Sequence, residues 1–157
     1  MTIYQAIESD HESHRNLLER ISDTSGDSKE RQRLWEEFYY DVKAHAAAEE
    51  EVFYAKLIAT EDGQPDARHS VHEHQNLDSI MDELHDKDMS SPGWIQRFGT
   101  LKHDYEHHME EEEDDIFARA REEIGQDSSG DLGRSFQTRK KREFELVDRK
   151  NEQALED

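Results

Sequence analysis

The chain has 157 residues, 40 acids against 20 lysines and arginines, a formal charge of −20 and no cysteine. That length supports one domain with a real core, and the missing cysteine excludes disulfides, zinc knuckles, iron–sulfur ligation and thiol catalysis, leaving His, Asp, Glu and Tyr as the ligands available to any metal. The charge argues against nucleic-acid binding, which needs clustered Lys and Arg, and the absence of a long apolar run or a signal-peptide start predicts a cytoplasmic protein with no membrane partner.

Strand signals are weak and helical periodicity runs throughout. Breaks at TSGDS (24–28), TEDGQPD (60–66), DMSSPG (88–93) and GQDSSGD (125–131) divide the chain into four long helical stretches and a charged C-terminal one. Pro65 and Pro92 stand where first-turn prolines belong, Ser91 is placed as an N-cap, and Gly125 follows the last periodic residue as a C-terminal glycine would. The expected architecture is all-α: an antiparallel up-down-up-down four-helix bundle over residues 1–125, followed by an additional helical tail over 126–157.

The first helix carries Ile3, Ile7, Leu18 and Ile21 on one face, and the second Trp35, Phe38, Val42 and Val52. The third carries Ala67, Leu77, Met81 and Leu84, and the fourth Trp94, Phe98, Leu101, Tyr105 and Ile116. Each stripe is interrupted at an inward position by a histidine: His11, His45, His74 and His108. One turn beyond two of them stand Glu49 and Glu112, also facing inward. Unpartnered ionisable groups in a core cost several kcal/mol each, roughly, which a domain stable by about 5–15 kcal/mol does not carry. A bound cation removes the conflict.

The same six residues form an internal repeat. Adding 63 to 11, 45 and 49 gives 74, 108 and 112, and Trp35 with Phe98, Phe38 with Leu101, and Tyr54 with Phe117 fall at the same offset. The bundle therefore reads as two halves, about 1–62 and 63–125, related by a pseudo-twofold. Within each half the His and the Glu four residues on lie about 40° apart around the helix and about 6 Å along it, a chelating pair. Four imidazoles and two carboxylates exceed a zinc site and are too rich in nitrogen for calcium or magnesium. A pair of first-row ions fits, iron first and manganese as the alternative, with the glutamates as bridges.

The segments DHESHRNLLERI (10–21), AHAAAEEEVFYAKL (44–57), EHQNLDSIMDEL (73–84) and HHMEEEEDDIFARA (107–120) resemble, in order, the hemerythrin-like proteins with their HHE cation-binding motif. The resemblance implies a four-helix bundle holding two iron ions with a bridging oxo or hydroxo group, and ligand roles for His11, His45, Glu49, His74, His108 and Glu112. It also implies dioxygen, peroxide or nitric oxide as the small-molecule ligand. Oxygen-carrying members place a second histidine one turn from the third-helix one, but the positions flanking His74 by four are Ser70 and Asp78. Asp78 or the Tyr54 phenol are the candidates to replace it.

One ligand fewer favours turnover, such as catalase-like peroxide breakdown, over reversible carriage. The alternatives are an iron or oxygen sensor without turnover, a role in iron–sulfur repair, and a metal-free scaffold. His14 is expected on the helix surface or as a hydrogen-bond partner behind a ligand. His69, His72, His85, His103 and His107, and the acids of the 110–115 run other than Glu112, are expected to face water. The tail, with Leu132, Phe136, Phe144, Leu146 and Val147 among Arg139, Lys140, Lys141 and Arg142, reads as a helix part packed and part solvated.

Overall fold

The structure is a computed structural model. It describes the backbone of residues 1–156 and the side chains of residues 1–146, so the Val147 side chain lies outside the described residues. Helix α1 spans Ile3–Ser22 and α2 Lys29–Ala48. The second rod continues through a π-helical turn, Glu49–Tyr54, into α3, Ala55–Ile58; the third is α4, Gln64–Asp86. The fourth rod is α5, Pro92–Glu111, a second π-helical turn, Glu112–Ile116, and α6, Phe117–Ile124; α7 spans Asp131–Glu156.

The breaks carry their own chemistry. Thr2 opens α1 with a reciprocal pair, its hydroxyl accepting from the Gln5 N–H while the Gln5 side chain accepts from the Thr2 N–H. Ser28 caps α2 through the Arg31 N–H at 3.1 Å. Ser91 occupies the N-cap of α5, but its hydroxyl makes no capping bond. The Trp94 N–H it would serve goes to the Ser91 carbonyl instead, at 3.0 Å. Gly125 ends α6 at φ +89°, a conformation costly for any residue with a Cβ, and its carbonyl accepts from the Tyr4 hydroxyl at 2.7 Å.

Helix α1 packs on α2 and α5, and α4 on α2 and α5, which closes an antiparallel four-rod bundle. Two apolar clusters fill it. One gathers Leu18, Trp35, Phe38, Leu84, Trp94 and Phe98; the other Ile3, Ile7, Phe53, Leu57, Ile116 and Phe117. Along every rod the inward histidines and glutamates fall between these clusters, so a polar layer divides the core.

The two π turns begin at Glu49 and Glu112, positions related by the 63-residue repeat. Their signature is the Ala55 N–H reaching the Glu50 carbonyl and the Phe117 N–H reaching that of Glu112, five residues back in each case. The extra residue in the turn rotates the next stretch of helix about its axis: Val52, expected inward, is half-buried, while Phe53 and Tyr54 are buried. Helix α7 lies across α1, α2 and the first π turn, burying Phe136. Gly133 lets it approach the N-terminus, since a Cβ there would stand 2.3 Å from the Met1 carbonyl oxygen. Of the tail's basic cluster, Lys140 and Arg139 meet bundle acids, while Lys141 and Arg142 are exposed. Among the described residues no helix is long and apolar enough to cross a membrane.

Candidate metal centre

Each of the four rods contributes one inward histidine, and the second and fourth each add a glutamate one turn on, at the first residue of a π turn. The structure brings His11, His45, Glu49 and Glu112 into one group whose donor atoms all lie within 4.8 Å of one another. Glu49, His74, His108 and Glu112 form a second such group, so the two share both glutamates. The Nε2 atoms point into the layer: His45 stands 3.0 Å and His74 3.1 Å from Glu49 oxygens, His11 3.2 Å from Glu112, and His74 and His108 face each other at 3.2 Å.

Glu49 and Glu112 are fully buried, yet both Glu49 oxygens, Glu112 Oε1 and both nitrogens of His11 make no hydrogen bond of acceptable geometry. Buried polar atoms left this way are costly. Convergent imidazole nitrogens and carboxylate oxygens are also the donors that first-row cations take. The residues fit a metal ion on both counts.

Every one of these histidines turns its Nδ1 toward a carboxylate. His45 meets Asp10 at 2.7 Å, His108 meets Glu73 at 2.9 Å, His74 meets Glu50 at 3.0 Å, and His11 meets Glu113 at 3.4 Å. Such partners fix the tautomer, leaving Nε2 free to ligate. They obey the repeat as well, since Asp10 and Glu73, and Glu50 and Glu113, are each 63 residues apart. The expectation that acids around Glu112 face water fails at Glu113, which is half-buried between His11 and the Arg15 guanidinium. Without metal, burial opposes charge on His45 and His74, but Glu49, with Asp10 and Glu50, outweighs it. The two imidazoles are raised to about 9 and about 10, and the Glu49 carboxyl is held well below its usual range.

Tyr54 and Asp78 part company. The Tyr54 phenol is buried and donates to Glu112 Oε2, beside the small, buried Ser70; burial and the Glu112 charge push its pKa well above 10. Asp78 lies outside both groups, held at the surface by Lys43 at 2.8 Å. Lys43, which also holds Asp82, stands at a small pocket over His45 and His74, walled by Val42, Leu77, Met81 and Tyr105.

His14 is no surface residue: it is 0% exposed, bonded to the Tyr105 hydroxyl at 2.7 Å and to Asp41 at 2.5 Å. Its partners come from two other helices, α2 and α5, which its own helical register does not report. His69, His72, His103 and His107 are exposed. His85 is exposed too, but it accepts from the Trp35 indole N–H at 3.1 Å and stacks on Tyr39 at 4.0 Å.

Residues 2–120 match the model of the hemerythrin HHE cation-binding domain. A solved structure of a hemerythrin HHE cation-binding domain-containing protein from Mycobacterium kansasii superposes with a TM-score of 0.80 at 22% identity, covering 93% of this chain and 89% of that one. A protein described as a DNA nickase from Nostoc sp. strain PCC 7120 is 26% identical over 140 residues, 89% of this chain but 39% of that protein, so the chain spans about two fifths of this relative's length. With a family match over most of its length, and a buried four-histidine, two-glutamate layer at its centre, the chain belongs to the hemerythrin HHE cation-binding domain family.

Proposed function

We infer that the protein holds two iron ions between Glu49 and Glu112 and reacts there with dioxygen, peroxide or nitric oxide, with catalase-like breakdown of peroxide as its activity. The observation that carries this is the pair of four-donor groups sharing both glutamates. Bound iron supplies one-electron redox steps and a Lewis-acidic position for a small ligand. The chain supplies the rest. Asp10, Glu50, Glu73 and Glu113 hold the imidazoles in orientation, and Tyr54 donates a hydrogen bond to Glu112. The small pocket over His45 and His74, walled by Val42, Leu77, Met81 and Tyr105 with Lys43 and Asp78 beside it, is the side from which a small molecule would reach the ligands. Manganese is the alternative occupant.

Metal analysis with an absorption spectrum of the aerobically purified protein tests the reading. Two irons per chain and oxygen evolution on adding peroxide are the expected results. A stoichiometric zinc content, or no metal, refutes it; iron without oxygen evolution removes only the catalase-like activity. The link from His45 through Asp10 and Lys140 to α7 favours a second reading, an iron or oxygen sensor whose last helix responds to the site. An α7 whose hydrogen exchange is unchanged by metal loading would exclude it. DNA nicking is not carried over from the Nostoc relative, because an acidic body of charge −20 opposes the phosphate backbone.

A further inference from the structure

Besides Tyr54 against Phe117, the pseudo-twofold breaks at a second place beside the site. The mate of His14 in the second half is Leu77, and the mate of Tyr105 in the first half is Val42. Those two side chains meet as hydrocarbon in the wall of the small pocket. The repeat-related positions hold a buried phenol, itself part of that pocket wall, bonded to a buried imidazole. Packing alone does not call for it.

The polarity of that pair is fixed. Burial would raise the Asp41 carboxyl, but the hydrogen bond from His14 and the Lys140 ammonium at 3.0 Å outweigh it and keep Asp41 ionised. A carboxylate only accepts, so the His14 proton sits on Nε2 and is donated to Asp41. Nδ1 is therefore a lone pair and Tyr105 donates its O–H to it. Tyr105 is buried, which disfavours a free phenolate. It has a base in contact and a carboxylate behind that base, the order of groups that lets a serine lose its proton in a hydrolase triad.

We propose that Tyr105 is a redox-active tyrosine that gives one electron to an oxidant arising at the neighbouring His/Glu site while its proton passes to His14. The Tyr105 O–H bond breaks and an N–H bond forms at His14 Nδ1, leaving an imidazolium whose Nε2–H stays donated to the Asp41 carboxylate. The oxidant, a one-electron acceptor generated from peroxide, is reduced by one electron, and a neutral phenoxyl radical remains. The positive charge formed on His14 is balanced by Asp41, whose side chain is 27% exposed. A row of rings leads outward: Phe38 at 6.0 Å from Tyr105, Trp35 at 5.8 Å from Phe38 and Tyr39 at 6.0 Å from Trp35. Tyr39 bonds the surface carboxylate of Asp82, so an external one-electron reductant can restore Tyr105 from outside the core. Only the source of the oxidant rests on the iron reading.

The protein as purified is photo-oxidised with a flash-quenched ruthenium polypyridyl, and the transient absorption of the tyrosyl radical is followed in H2O and D2O. The wild type is expected to form a radical with a solvent isotope effect, Tyr105→Phe to lose that phase, and Asp41→Asn to slow it about tenfold. An isotope-sensitive phase unchanged in Tyr105→Phe overturns the proposal, and a rate unchanged in Asp41→Asn overturns the role of the His14–Asp41 pair. This arm needs no iron, so its failure is distinct from failure of the metal reading, which metal analysis decides alone. In the iron-loaded protein, peroxide should give a tyrosyl signal by electron paramagnetic resonance that Tyr105→Phe lacks. Peroxide consumed by the wild type with no radical overturns the coupling to the site.

Discussion

The four carboxylates behind the histidines make the sharpest demand on the structure. Asp10 holds His45 at 2.7 Å and Glu73 holds His108 at 2.9 Å, and the two acids are repeat mates, each shared with one further cationic or imidazole group, Lys140 at 3.1 Å and His69 at 3.2 Å. Replacing either by its amide keeps the volume and an acceptor but removes the charge. It also offers an N–H that selects the wrong imidazole tautomer, with the proton on the ligating nitrogen. Loss of such a partner costs about 10–100-fold in metal affinity, or about 1.4–2.7 kcal/mol. Asp10→Asn and Glu73→Gln should therefore weaken iron binding by similar factors within that range, measured by competition with a chromophoric chelator. Asp78→Asn, exposed and paired with Lys43, is the control expected to change nothing. If both amide variants bind iron within about twofold of wild type, a difference worth under 1 kcal/mol, the contacts are ordinary surface ion pairs and the reasoning fails.

Glu49→Gln removes a donor common to both groups and should deplete metal from the whole site rather than from one half, read as metal per chain; retention of half the metal would show that Glu49 serves one side only. Metal binding should release protons at neutral pH, because His45 and His74 carry them up to about 9 and about 10 in the free protein; calorimetry in buffers of different ionisation heat should find roughly two, and none would refute the ligand assignment. For the same reason the metal-free protein gains stability from these histidines that is fully present below their unfolded value of about 6.5 and is lost as pH rises through about 9 to about 10, so its denaturant midpoint should fall over that window. Gly133→Ala drives a Cβ to 2.3 Å from the Met1 carbonyl and should cost about 1–3 kcal/mol, visible as a melting temperature lowered by several degrees; an unchanged value would mean that the N-terminus yields freely.

The six inward donors and the repeat were legible in the sequence because a 3.6-residue period exposes a polar residue on an apolar stripe, and an offset of 63 tests it twice. The outer carboxylates were legible in principle by that same offset, which carries Asp10 onto Glu73 and Glu50 onto Glu113; within the acidic run no local feature separates Glu113 from its solvated neighbours. The π turns leave no pattern in EEEVFY or EEDDI, so the shift of burial from Val52 to Phe53 came only with the backbone. His14 reads as surface until Tyr105 and Asp41 arrive from α5 and α2, with Lys140 of α7 behind Asp41, contacts that no single helix encodes.

The ring of outer acids has an electrical consequence. Two carboxylates within the layer, Glu49 and Glu112, and four around it, Asp10, Glu50, Glu73 and Glu113, stand against the nearby cations Arg15 and Lys140. Negative charge set close to a poorly solvated centre favours the more highly charged of two oxidation states. A redox ion held in the layer would have its reduction potential drawn down, and neutralising any of the outer acids should raise it.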